Sequence, residues 1–325
     1  LTSHPTIFQK AIQGSVDYDD QFRSLGVGGG GILDGYWALV TQDIRGALDV
    51  FAPLYEESAG GDGFVSVEVA PDLANDTAGT IAAARQLHTT INRPNLMVKI
   101  PGTEAGLPAI RQMISEGRNI NVTLIFSIDR YRDVMEAYVG GLEACEGDLS
   151  RVASVASFFV SRVDTEVDRR LEAIGTNAAL NLRGKAAVAQ AKLAYQAFGE
   201  VFSGPRWEAL AVRGARVQRP LWASTSTKNP AYEDTLYVDT LIGPHTVNTL
   251  PDQTLAAFAD HGVVARTVDQ GVDEAHEVWE RLEGVGIDLD DVARVLETEG
   301  VSSFMKSFDE LLGALDQKAA ELRAR

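Results

Sequence analysis

Short stretches of this chain alternate apolar and polar residues at the strand period of two, and the segments between them repeat apolar residues at helical spacing. In Gly63-Phe-Val-Ser-Val-Glu-Val-Ala-Pro71, Phe64, Val65, Val67 and Val69 lie largely on one side, and Ser66 and Glu68 on the other. In Asn95-Leu-Met-Val-Lys-Ile-Pro-Gly-Thr103, Leu96, Val98 and Ile100 face one way and Met97 and Lys99 the other, before Pro101 and Gly102 end the strand. Residues 119–126 set Ile120, Val122 and Leu124 against Asn121 and Thr123. Residues 152–159 end with Ser157, shortly before Arg162, and 219–224 end with Ser224. Residues 245–249 supply a further short strand, and Leu1-Thr-Ser a rudimentary one, about seven in all.

Helices are expected between them. Trp37, Val40, Ile44, Leu48 and Phe51 share a helical face, and residues 80–91, 104–116, 128–145 and 183–202 also read as helices. Ser127 is a candidate N-cap, and Pro251 opens another helix. Strand followed by helix, repeated, predicts a parallel sheet covered by helices. Because the polar residues collect on one strand face, we expect closure into an eight-stranded (β/α) barrel, one domain spanning residues 1–325, with polar strand exits at the carboxyl face.

Lys99 is the sharpest chemical candidate. In an apolar strand its ammonium is poorly solvated, which favours the neutral amine and suits it to Schiff-base chemistry on a carbonyl. The alternative is a strand lysine that snorkels to the surface or pairs with a carboxylate. Polar residues at similar depth on neighbouring strands, among them Glu68, Asn121, Thr123 and Ser157, favour a site.

Composition narrows the partners. A formal net charge of −17 argues against nucleic acid and anionic membranes, and no apolar run is long enough to span a bilayer. The single Cys145 excludes an internal disulfide, fits a reducing cytoplasm and lies on an expected helix as an inert thiol. Five dispersed histidines lack metal-ligand spacing, so no metal site is expected. The run Gly26-Val-Gly-Gly-Gly-Gly31 satisfies a dinucleotide pattern in form, but with no strand before it and no acidic residue at the right place after it, it reads as a loop. Lys185 and Lys192 are expected on a solvated helix face, and Phe304, Phe308, Leu311, Leu312 and Leu315 form an amphipathic stripe that packs on its own domain.

The segments Phe64-Val-Ser-Val-Glu-Val69, Met97-Val-Lys-Ile-Pro-Gly-Thr103, Asn121-Val-Thr-Leu-Ile-Phe-Ser127, Ala156-Ser-Phe-Phe-Val-Ser-Arg-Val-Asp164 and Trp222-Ala-Ser-Thr-Ser-Thr-Lys-Asn-Pro-Ala-Tyr232 occur in order, and the chain resembles the transaldolases, in their longer bacterial form, over essentially its whole length. The resemblance implies Lys99 as the Schiff-base nucleophile and Glu68 with Thr123 as holders of the catalytic water. It implies Asn121 and Ser157 as readers of the hydroxyls of a bound three-carbon unit, and Arg162, Ser224 and Lys228 as the phosphate site. It implies sugar phosphates as substrates, no metal or organic cofactor, and a cytoplasmic enzyme. The family pattern Thr-Ser-Asn-Pro reads Thr2-Ser-His4-Pro5 here, so His4 takes the place of a substrate-binding asparagine. The family's acid/base aspartate lies on a strand before this segment, so the chain as written is expected to lack its first strand and to be impaired in carbon–carbon cleavage. A fructose-6-phosphate-type aldolase and a sugar-phosphate-binding pseudoenzyme are the alternative readings.

Overall fold

The computed structural model describes residues 1–14, 16, 18–20 and 31–324. The glycine run at 26–31 lies, apart from Gly31, outside the described residues. The chain forms two compact units, Leu1–Ile100 with Gly300–Arg325, and Pro101–Glu299.

In the first unit, strand β1 (Val65–Glu68) pairs in parallel with β2 (Leu96–Pro101), in the register Ser66↔Met97 and Glu68↔Lys99. The crossover between them holds the helix Thr77–Ile91, started by Asp76, whose side chain accepts from the Gly79 N–H, and ended by Asn92 in the left-handed conformation. The helix Ile32–Glu57 buries Val40, Ile44 and Leu48 of the face expected from the sequence, together with Tyr36 and Leu39, while Trp37 and Phe51 are half-buried. Asn95 ties it down, its buried Nδ2 donating to the carbonyls of Leu48 and Gly63. Gly63 has φ +78, and a Cβ there would stand 2.6 Å from the Tyr55 nitrogen, so only glycine allows this approach. Phe304, Phe308, Leu311 and Leu315 are buried in this unit, as expected of the C-terminal stripe.

In the second unit, β3 (Ile120–Ile125), β4 (Ser154–Phe159), β5 (Arg219–Ala223) and β6 (Val247–Asn248) pair in parallel in chain order. Ser127 caps the helix Ile128–Ala144 by accepting from the Arg130 N–H, and the buried Cys145 ends it. The helix Asp252–His261 follows Pro251, which occupies the N-cap. Lys192 is not simply solvated: its Nζ donates to the carbonyls of Thr267 and Gln270.

Three expectations are corrected. Six strands stand among the described residues, and the first three residues make a single bridge, Thr2↔Ser66, in place of a strand. Alternation along β3 breaks at Leu124: its φ is +59, and the β3–β4 register shifts between Val122 and Ile125, a bulge that inserts one extra residue. The helix Ser161–Ile174, absent from the expected elements, begins directly after β4 and carries Arg162 in its first turn.

Candidate active site

Parallel pairing at Glu68↔Lys99 sets two alternating positions on the same face of neighbouring strands. Lys99 Nζ donates to Glu68 Oε2 at 3.1 Å, and the two side chains are 9% and 7% exposed. Burial pushes the Glu68 carboxyl up, while the charge and hydrogen bond of Lys99 pull it back down. Desolvation and mutual attraction oppose each other at the Glu68 carboxyl, and burial is the larger effect. A carboxylate at this distance can take the ammonium proton and leave a free amine, the form that attacks a carbonyl.

Two further groups, His4 and Tyr36, belong to the first unit, and Tyr36 feels the charge of Glu68. His4 follows Ser3, whose Oγ donates to the Ser66 carbonyl at 2.9 Å. The His4 carbonyl accepts from the N–H groups of Ile7 and Phe8, opening the helix Pro5–Gly14 with proline first. Its ring lies 5.4 Å from that of Phe304. Tyr36 is buried, packs edge-on against Phe308 at 5.1 Å, and is pushed up by burial and then by the Glu68 charge.

The second unit carries the remaining candidates, Asn121, Thr123 and Ser157 on its strands and Arg162, Ser224 and Lys228 outside them. Ser157 Oγ donates to Asn121 Oδ1 at 2.8 Å, joining β4 to β3. Both side chains are buried, and the bond fixes the Asn121 carbonyl oxygen as acceptor, which orients its amide. Thr123 is buried one residue before left-handed Leu124, and its carbonyl accepts from the Gly102 N–H at 2.7 Å. The bulge therefore sits beside a candidate site residue, where such irregularities re-aim side chains.

Ser224, just past β5, has φ +56. Its carbonyl accepts from the Ser161 N–H at 3.0 Å, and its Oγ shares a hydrogen bond of 2.8 Å with Ser161 Oγ. This fastens the exit of β5 to the start of the helix bearing Arg162. The Arg162 guanidinium is half-buried over the Phe159 ring, 5.5 Å from its centroid, with no hydrogen bond or ion pair among the described residues. Burial pushes it down from its ordinary value, against the opposing charge of Glu299. An under-solvated cation at a helix N-terminus is suited to an anion. Lys228 is exposed and its Nζ donates to Ser226 Oγ at 2.7 Å.

Sequence reasoning missed four groups in this unit. Asp164 and Asp168 accept from the hydroxyls of Tyr237 and Tyr232, respectively, partners 73 and 64 residues away. The helix that holds the aspartates was signalled by Val163, Val167 and Leu171 at its own period; the tyrosine partners left no local trace.

The sequence matches the Transaldolase/Fructose-6-phosphate aldolase family over residues 1–315. It is 54% identical over 316 residues to the protein named Transaldolase of Saccharopolyspora erythraea, covering 96% of this chain and 85% of that one. The Mycolicibacterium smegmatis protein of the same name is 53% identical over 318 residues, 97% of this chain and 86% of the relative. For that of Thermobifida fusca the values are 52% over 324 residues, 98% and 88%.

Proposed function

The chain belongs to the transaldolase/fructose-6-phosphate aldolase family, and from that premise we propose that Lys99 is the amine of a Schiff-base transaldolase with Glu68 as its proton partner. The protein is a transferase with transaldolase activity, acting on sugar phosphates. A dihydroxyacetone unit passes from sedoheptulose 7-phosphate to glyceraldehyde 3-phosphate, giving erythrose 4-phosphate and fructose 6-phosphate in the pentose phosphate pathway. The observation that carries the residue assignment is the buried contact of 3.1 Å between Lys99 Nζ and Glu68 Oε2.

The steps follow from that pair. Glu68 accepts the ammonium proton, and the Lys99 nitrogen adds to the ketone carbon of the donor. Loss of water gives an iminium. Removal of the proton from the hydroxyl two carbons along lets the carbon–carbon bond break, its electron pair moving toward the iminium nitrogen to give an enamine. The aldose phosphate leaves, and the enamine carbon adds to the acceptor aldehyde. Hydrolysis of the resulting iminium returns the free amine, with Glu68 and Thr123 assigned to hold the water. No external electron acceptor enters, because the iminium and enamine interconvert on the lysine itself.

Binding roles are assigned to the other residues by the same reading. Asn121 and Ser157, already joined to each other, read the hydroxyls of the three-carbon unit, and His4 contacts the same unit. Arg162 binds the distal phosphate through charge-assisted bonds, a role supported by its half-buried guanidinium, which forms no ion pair among the described residues, with Ser224 and Lys228 completing the site. The reading also takes the six parallel strands as part of an eight-stranded barrel and locates the enzyme in the cytoplasm. Among the described residues no helix is long and apolar enough to cross a membrane.

Product analysis with fructose 6-phosphate as donor tests the reaction class. With erythrose 4-phosphate present, sedoheptulose 7-phosphate should accumulate; without an acceptor, turnover should stop at the enzyme-bound unit. Steady release of free dihydroxyacetone without acceptor would make the enzyme an aldolase instead.

A further inference from the structure

The Arg162 helix carries two buried carboxylates that the transaldolase chemistry leaves unused. Asp164 and Asp168 are one turn apart on Ser161–Ile174, and neither forms an ion pair among the described residues. Every bond they accept comes from a neutral donor. Asp164 takes the Ala187 N–H at 2.8 Å on Oδ1 and the Tyr237 hydroxyl at 2.7 Å on Oδ2. Asp168 takes the Gly184 N–H at 2.9 Å on Oδ1 and the Tyr232 hydroxyl on Oδ2. Gly184 has φ +71, and a Cβ there would come within 2.7 Å of the Tyr232 ring, so the ring is wedged between this turn and the helix.

Tyr232 and Tyr237 follow the segment that bears Ser226 and Lys228. That segment is also fixed at its start, where Thr225 Oγ1 donates to Asn248 Oδ1 at 2.9 Å. Lys228, Asp164, Asp168, Tyr232 and Tyr237 line one cleft of about 230 Å³. An exposed lysine on a loop would ordinarily sample many positions and lose side-chain entropy on meeting an anion. Here its loop is tied at both ends, with the second tie made to the helix that carries Arg162. Burying carboxylates without a counter-ion is a poor way to gain stability, and more economical as a way to fix geometry.

We propose that Asp164 and Asp168 are positioning residues for phosphate recognition, holding the Lys228 loop through Tyr237 and Tyr232 at a set place relative to Arg162. The proposal rests on the assignment of Arg162 and Lys228 to the phosphate site.

The test compares Tyr232→Phe, which removes one hydroxyl and keeps the ring, and Asp168→Asn with Lys228→Met in the full chain. Three readouts are taken: kcat and KM with fructose 6-phosphate, kcat and KM with unphosphorylated fructose, and the inhibition constant of inorganic phosphate. Tyr232→Phe should raise KM for fructose 6-phosphate and the phosphate inhibition constant together by about tenfold, as expected for weakening one bond to a charged group. Its kcat and its KM for fructose should stay within about twofold, well below the effect of a lost charged bond. Equal losses on both sugars, or an unchanged inhibition constant, would overturn the proposal and leave a structural clasp. If Lys228→Met itself leaves phosphate inhibition unchanged, the Lys228 assignment and this proposal fail together. If Lys228→Met weakens phosphate while Tyr232→Phe does not, the clasp alone fails. A melting curve for each variant identifies any loss caused by unfolding, and should Asp168→Asn unfold, Tyr232→Phe alone decides the outcome.

Discussion

Replacing Glu68 with glutamine removes one charge from a pair whose members are both buried and leaves the shape nearly unchanged. At 3.1 Å and an effective dielectric of about 20, the Lys99–Glu68 attraction is worth roughly 5 kcal/mol before desolvation is counted. Removing one member of such a pair typically costs about 3–5 kcal/mol, because the other charge stays buried without a partner. The glutamine carbonyl can still accept from Lys99 Nζ, returning about 1 kcal/mol. Glu68→Gln should therefore destabilise the fold by roughly 2–4 kcal/mol. It should also slow Schiff-base formation by about 10²–10⁴, the usual worth of a positioned proton acceptor. Urea unfolding measures the first effect, and the rate of borohydride-trapped adduct under single-turnover conditions the second. The double variant Lys99→Met with Glu68→Leu should be inactive yet more stable than Glu68→Gln, since it removes both buried charges. Trapping within about threefold of the parent rate, far short of the expected acid/base effect, would refute the role given to Glu68.

Arg162→Ala should weaken phosphorylated substrates by about 2–4 kcal/mol while sparing unphosphorylated analogues, and KM values for both types would show it. Arg162→Lys should recover only part of the loss, since lysine lacks the bidentate fork. Burial pushes the Asp164 carboxyl up to about 6, above the ordinary carboxylate range, with the nearby Asp168 adding to the effect and the Ala187 N–H and Tyr237 hydroxyl opposing it. The folded state therefore holds this proton more tightly than the unfolded chain. The stability so gained is fully present below about pH 4 and is lost as pH rises through about 6, roughly 3 kcal/mol for two units. Urea titrations should accordingly show Asp164→Asn gaining on the parent between pH 4 and 7, and a gap that does not change with pH would contradict the shift.

The strands were legible because alternation within six or seven residues is a local property, and β1 to β5 lie within the stretches read from it. Lys99 stood out for the same reason, as a charge at an apolar-strand position. Its contact with Glu68 depends on the pairing of β1 with β2, a register that no single segment encodes. The bulge at Leu124 was hidden because leucine carries no sign of a left-handed backbone, unlike glycine or asparagine. The helix Ser161–Ile174 shows an apolar repeat at Val163, Val167 and Leu171, but the motif that contains Arg162 stops at Asp164, after the first of the three. The tyrosine clasps on that helix span more than sixty residues of sequence and emerge only when the chain is folded.

The central claim is that Lys99 forms the covalent intermediate, and peptide mass spectrometry after borohydride reduction tests it most directly. With fructose 6-phosphate as donor, one reduced three-carbon unit should appear on the peptide containing Lys99, in step with the loss of activity. The adduct should be absent from Lys99→Ala under the same conditions. An adduct of that mass on a peptide bearing Lys185, Lys192 or Lys228 in place of Lys99, or undiminished labelling of Lys99→Ala, would contradict the account.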